Sequence, residues 1–167
     1  MGLDNIPRVY PCVAQKTAKY DEDKIDCKET QNHGGCPWKN EFDLIKLANP
    51  KMRPTYGMLG TDCWYRGKWG NRLITTMETK DLDAWEGTSG FSFYGDNGDD
   101  GITVEYAKSL ALYMRDNREN FKEIIPMFLK VNKETESEYD NYLGDWDYAT
   151  WWLDFVAEFS DGSSIWY

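Results

Sequence analysis

The sequence predicts an α+β fold in a single domain, with an irregular, β-leaning half (residues 1–101) packed on a helical half (residues 102–167) of about three helices. Three observations carry this expectation. Proline and glycine break the first half repeatedly, as at Pro7, Pro11, Gly34, Gly35, Pro37, Pro50 and Pro54, which favours short strands and loops. From Thr103 onward, apolar residues recur at the spacing of amphipathic helices. Finally, a chain of 167 residues with no internal repeat, low-complexity segment or long linker fits one domain able to bury a sizeable core.

Pro7 and Pro11 flank Arg8, Val9 and Tyr10 and predict an extended entry segment, since each proline disfavours helix at the residue before it. Strand, turn and strand fit the stretch that reaches Ile25 through the acidic turn Asp21, Glu22 and Asp23. Residues 27–40 read as a tight liganded or cross-linked loop, because Gly34, Gly35 and Pro37 exclude regular structure there. Residues 41–47 suit a short helix or strand, and Pro50 and Pro54 break the chain again. Ile74, Thr75 and Thr76 make residues 73–77 β-branched, which predicts a strand. Residues 80–86 suit a helical turn, 88–90 a turn, 91–94 a short strand and 95–101 a loop.

The second half is more regular. Thr103 is an N-cap and Glu105 lies near the helix start, so a helix is expected over 104–116, with Tyr106, Ala107, Leu110, Ala111 and Met114 on its apolar face. A second helix is expected over 118–131, with a kink or fresh start at Pro126. A third is expected over 147–159, placing Tyr148, Trp151, Trp152, Phe155, Val156 and Phe159 inward, with Asp161 and Gly162 ending it. The aromatic tail, Ile165, Trp166 and Tyr167, is expected to pack back on the body.

Charge excludes one broad class. Nineteen Lys and Arg against twenty-nine Asp and Glu give a net charge of −10, which argues against general nucleic-acid binding. Aromatics make up 16% of the chain, so few residues can fill a core. No basic n-region precedes an apolar run, and no stretch approaches the ~20 apolar residues of a membrane span. The expectation is a soluble cytoplasmic protein.

All four cysteines, Cys12, Cys27, Cys36 and Cys63, lie in the first half with the single histidine, His33. Zinc takes four nitrogen or sulfur ligands in a tetrahedron, and these five side chains are the candidate donors. The absence of a CxxC pair weighs against zinc, whereas Gly34 and Gly35 give the backbone freedom that liganding loops use. An iron–sulfur cluster, two disulfides and buried free thiols are the other readings of the same cluster.

Residues 57–72 differ from everything around them. Trp64, Tyr65 and Trp69 interleave with Arg66, Lys68 and Arg72, among Gly57, Gly60, Gly67 and Gly70. Guanidinium forks grip phosphate or carboxylate, indoles stack on flat rings, and glycines let backbone amides approach a ligand. Trp64, Tyr65, Arg66, Lys68, Trp69 and Arg72 are therefore the candidate ligand residues for a nucleotide-like anion. Neither standard phosphate loop is present. The competing structural reading is a hairpin turning at residues 66–68, with tryptophans inside and cations in solvent. Asp96, Asp99 and Asp100 sit in a glycine-rich loop, but Gly98 and Ala107 stand where an EF-hand needs ligands, so a solvated turn is expected.

The leading expectation is a non-enzymatic binding module, with or without a metal staple, engaging a small anionic ligand or a protein partner. A second class is an acidic inhibitor, with Glu134, Glu136, Glu138, Asp140, Asp145 and Asp147 imitating a phosphate backbone. A third is a small enzyme using Cys36 or Cys63 with His33 as base. In size, acidity and lack of standard motifs the chain resembles accessory proteins from phage genomes; the resemblance assigns no residue.

Overall fold

A computed structural model describes residues 4–8, 65–95, 101–133 and 139–166 of the chain. These form a small three-stranded sheet and four helices, a mixed α+β fold. The elements run β1 (Asp4–Pro7), β2 (Tyr65–Arg66), α1 (Gly67–Thr79), α2 (Val104–Asp116), α3 (Arg118–Asn132), α4 (Tyr139–Phe159) and β3 (Ser163–Trp166). Strand β1 is central in the order β2-β1-β3, and both pairings are antiparallel. Asn5 stands opposite Tyr65 on one side and Ile165 on the other. The tail thus returns onto the body as β3, paired along β1, whereas the extended segment expected between Pro7 and Pro11 lies, apart from Pro7 and Arg8, outside the described residues. Expectations for residues 9–64 lie outside the described residues.

Helices α2 and α4 pack along each other, and α3 lies against α4. The core between them is built of large aromatics, with Trp146, Tyr148 and Trp152 of α4 and Phe121 of α3 each almost wholly buried. Phe121 stacks on Trp146 with ring centroids 4.4 Å apart, and the Trp146 indole N–H donates to the Met114 carbonyl at 2.9 Å. Each such ring removes a large apolar area from water, which is how a few residues suffice to hold three helices together.

The helical half follows its sequence pattern closely. The Thr103 side chain accepts from the Tyr106 N–H at 3.2 Å, capping α2. Helix α3 continues through Pro126, without the fresh start expected there. Proline removes the N–H that would reach the Lys122 carbonyl, and the Tyr139 hydroxyl donates to that carbonyl at 3.4 Å instead. Helix α4 begins two turns earlier than its strongest apolar stretch, because Tyr142 stacks on Phe128 at 5.2 Å and Trp146 on Phe121. In the sequence, Gly144 and nearby acids dilute that part of the pattern. The chain leaves α4 through Gly162 at φ 79°, where a Cβ would lie 2.3 Å from the Ile102 carbonyl oxygen.

Residues 67–79 are the main departure from expectation. The strand expected over 73–77 is the middle of helix α1, which begins at Gly67 where a hairpin turn was the competing reading. Leu73, Ile74 and Met77 share one buried face, and that burial outweighs β-branched propensity. The threonines also bond within the helix: Thr76 Oγ1 donates to the Arg72 carbonyl at 2.7 Å and Thr79 Oγ1 to the Thr75 carbonyl at 2.8 Å. Lys80 ends the helix in the left-handed region, φ 55°, so residues 80–86 form turns instead of the expected helical one. No strand forms over 91–94 either. Side chains take the place of a partner strand there: Asn71 Oδ1 accepts from the Phe93 N–H at 2.6 Å and the Tyr106 hydroxyl from the Ser92 N–H at 2.7 Å.

Candidate functional site

Helix α1 sorts the candidate ligand residues onto different surfaces. Tyr65, in β2, is 1% exposed; its ring stacks on Phe93 at 4.8 Å and Trp152 at 5.1 Å, inside the core. Burial and the nearby Asp145 carboxylate push its phenol well above the usual tyrosine range. Arg66 Nε donates to Asp4 Oδ1 at 3.2 Å, an ion pair between β2 and β1. Lys68 is exposed one residue into the helix. Trp69 and Arg72, three apart and therefore on one face, line a cleft between α1, α3 and α4. Trp64 lies outside the described residues.

The cleft has a volume of about 370 Å³, at the low end of the roughly 300–1,000 Å³ typical of small-molecule sites. Its apolar walls are Trp69, Leu73, Leu82, Phe128 and Tyr142. Its polar groups are Arg72, Thr76 and Asn132, and the Asn132 amide N–H donates to the Tyr142 hydroxyl at 3.0 Å. Two features are chemically unfinished. The Arg72 side chain is exposed and makes no hydrogen bond or ion pair among the described residues. The Trp69 indole nitrogen is buried and likewise has no acceptor there. A buried N–H without an acceptor costs about 1–3 kcal/mol; this nitrogen lies beneath the surface, so the exposed Arg72 guanidinium is the group open to an anion in the cleft.

The two glycines described in this stretch serve packing. A Cβ on Gly67 would meet Asn5 Nδ2 at 2.8 Å, and one on Gly70 would meet the Phe93 ring at 2.4 Å. They let α1 lie close against the sheet and the 91–95 segment, a role that the sequence alone does not separate from anion binding.

A second, wider cleft of about 590 Å³ runs beside Glu78, Tyr113 and Asn117. Here the carboxylate is fully engaged. Glu78 Oε2 accepts from the Thr88 N–H at 2.5 Å and the Ser89 N–H at 3.2 Å, and Oε1 accepts from the Tyr113 hydroxyl. Burial raises the Glu78 pKa, but the bonds from Ser89, Tyr113 and the Thr88 backbone outweigh it and hold the group below its ordinary value. Burial and the Glu78 bond push Tyr113 up to about 12. This cluster clamps the 80–90 loop to α1 and α2.

Of the acidic run, Asp147 takes a two-point contact from Arg118, with Nε at 2.7 Å from Oδ1 and Nη2 at 2.9 Å from Oδ2. Asp145 turns one carboxylate oxygen into buried space. Glu134, Glu136 and Glu138 lie outside the described residues, as do Asp96, Asp99 and Asp100. So do the zinc candidates Cys12, Cys27, His33, Cys36 and Cys63. Among the described residues, no three His, Cys, Asp or Glu side chains converge as metal donors, and no helix is long and apolar enough to cross a membrane.

Of the residues lining this cleft, the candidate set from the sequence includes Trp69 and Arg72 but neither Leu73 and Thr76 of the same helix nor the more distant Leu82, Phe128, Asn132 and Tyr142. The last four could not be read locally. Those residues come from a loop and two other helices, and only the packing of α3 and α4 on α1 brings them there. The spacing of Trp69, Arg72 and Thr76 is the one local signal of the cleft, and it becomes readable once the stretch is recognised as helix. No protein-family model, curated protein or solved structure matches the chain.

Proposed function

We propose that this chain is a non-enzymatic binding module whose ligand, a small anion with a flat ring, occupies the cleft between α1, α3 and α4. The observation that carries the reading is an exposed guanidinium, Arg72, with no hydrogen bond or ion pair among the described residues, beside the aromatic walls of the cleft. In a protein of net charge −10, an unpaired cation beside stacking surfaces is a local attractor for anions. The wider set from the sequence narrows accordingly: Trp69 and Arg72 contact the ligand, Lys68 lies outside the cleft lining, and Arg66 and Tyr65 hold the sheet.

Thermal-shift measurements with millimolar nucleoside monophosphates and aromatic carboxylates test this. A ligand that binds the folded state raises Tm by mass action. At least one anion is expected to raise Tm in the wild type, with the shift lost in Arg72→Gln and reduced in Trp69→Leu, which keeps an apolar wall and removes the stacking surface. No shift with any anion, or an equal shift in Arg72→Gln, overturns the reading.

A further inference from the structure

We infer that the ligand of this cleft is an aromatic monoanion of the aryl- or indolyl-carboxylate class, and not a nucleotide polyphosphate; the inference rests on the binding reading above. Four features select it. Arg72 is the single charged side chain among the described residues lining the cleft, so it balances one negative charge. The planar guanidinium accepts a carboxylate in the two-point geometry that such forks favour.

Polyphosphate recognition uses arrays of backbone N–H groups at helix N-termini or glycine loops. The cleft runs instead along the side of α1, from Trp69 to Thr76, and no glycine lines it. Gly67 and Gly70 are already closed by Asn5 and Phe93.

Phe128 and Asn132 belong to the last turn of α3, whose free carbonyls form the negative end of the helix dipole. A second and third negative charge there is disfavoured. The remaining lining is mostly apolar, with Trp69, Phe128 and Tyr142 as aromatic walls and Leu73 and Leu82 as aliphatic ones. That surface suits a single ring system better than a sugar and a phosphate chain.

Isothermal titration of the full chain with indole-3-acetate, indole-3-acetamide, AMP and ATP tests the inference. Indole-3-acetate is expected to bind one per chain. The uncharged amide should bind at least about tenfold more weakly, because it loses a charge-assisted bond. In Arg72→Gln the acid and the amide should bind alike, a readout that a merely structural role would leave unmoved. If AMP or ATP binds more tightly than indole-3-acetate and Arg72→Gln abolishes that binding, the monoanion inference is overturned while the anion-binding reading stands. If the amide binds as well as the acid to the wild type, charge selection fails and the inference is overturned. If none of the four binds, both readings fall.

Discussion

Helix α1 has two faces, and they differ in what they leave undone. Its inner face, Gly67, Gly70, Ile74 and Met77, is buried and close-fitted. Beneath it Asn5 is fully satisfied: Nδ2 donates to the Phe93 carbonyl at 2.7 Å, and Oδ1 accepts from Ser163 Oγ at 2.8 Å. Its outer face presents Lys68, Trp69 and Arg72 with a guanidinium and an indole N–H unmatched among the described residues. Of these two groups the indole nitrogen is buried, as is the unmet Tyr65 hydroxyl, and the exposed guanidinium is the one open to an anion. The same thirteen residues therefore form a close-fitted wedge on one side and line the proposed binding cleft on the other.

Substitutions can break that contrast, beginning with the inner face. Asn5→Ala removes the acceptor for Ser163 and the donor to Phe93, and each group left unmet costs about 1–3 kcal/mol. Urea unfolding is expected to show a loss of at least about 2 kcal/mol from these two groups together. A loss under about 0.5 kcal/mol, the level of an ordinary surface change, would show that Asn5 does not pin the sheet.

Gly70→Ala gives a test by sign. On helix propensity alone, alanine would stabilise α1 by about 1 kcal/mol. The new Cβ instead lands 2.4 Å from the Phe93 ring, and overpacking of this kind costs about 1–3 kcal/mol. Net destabilisation is expected; a rise in Tm would mean that the ring moves freely and the close fit is not needed.

The Glu78 clamp sharpens the comparison through pH. Its folded pKa lies below the ordinary value of 4.5, so its contribution is fully present above that pH and fades as pH falls through the lowered value. Glu78→Gln should therefore be less stable than wild type at neutral pH, with the gap closing in acid. A gap that is constant across pH would show that the carboxylate charge contributes nothing.

The smallest effect belongs to the outer face. Arg72→Gln should change stability by no more than about 0.5 kcal/mol, since its exposed side chain has no partner among the described residues. A sharp fall in Tm would make Arg72 structural and remove the basis for the cleft as a receptor.

How much of this was legible in the sequence varies by element. The cap at Thr103 and the helix over 104–116 were readable because cap chemistry and apolar spacing are local and agree. Helix α1 was not, because glycines and β-branched residues locally favour turn and strand. The reason for each glycine, Asn5 or Phe93, lies far away in the chain. Trp69 and Arg72 were identified by composition, but Tyr65 and Arg66, their neighbours in the same stretch, turn inward to the core and sheet.

By itself, the sequence determined the class α+β, the helical second half, the aromatic core and the unusual chemistry of the Trp and Arg stretch. Periodicity and capping act over a few residues, and in the second half they agree with the tertiary packing. Only the tertiary structure decided that 67–79 is helix, which of its cations stay unpaired, and which residues of α3 and α4 close a cleft over them. Those outcomes depend on burial and on contacts between distant segments, whose energies exceed local propensity and have no trace in neighbouring letters.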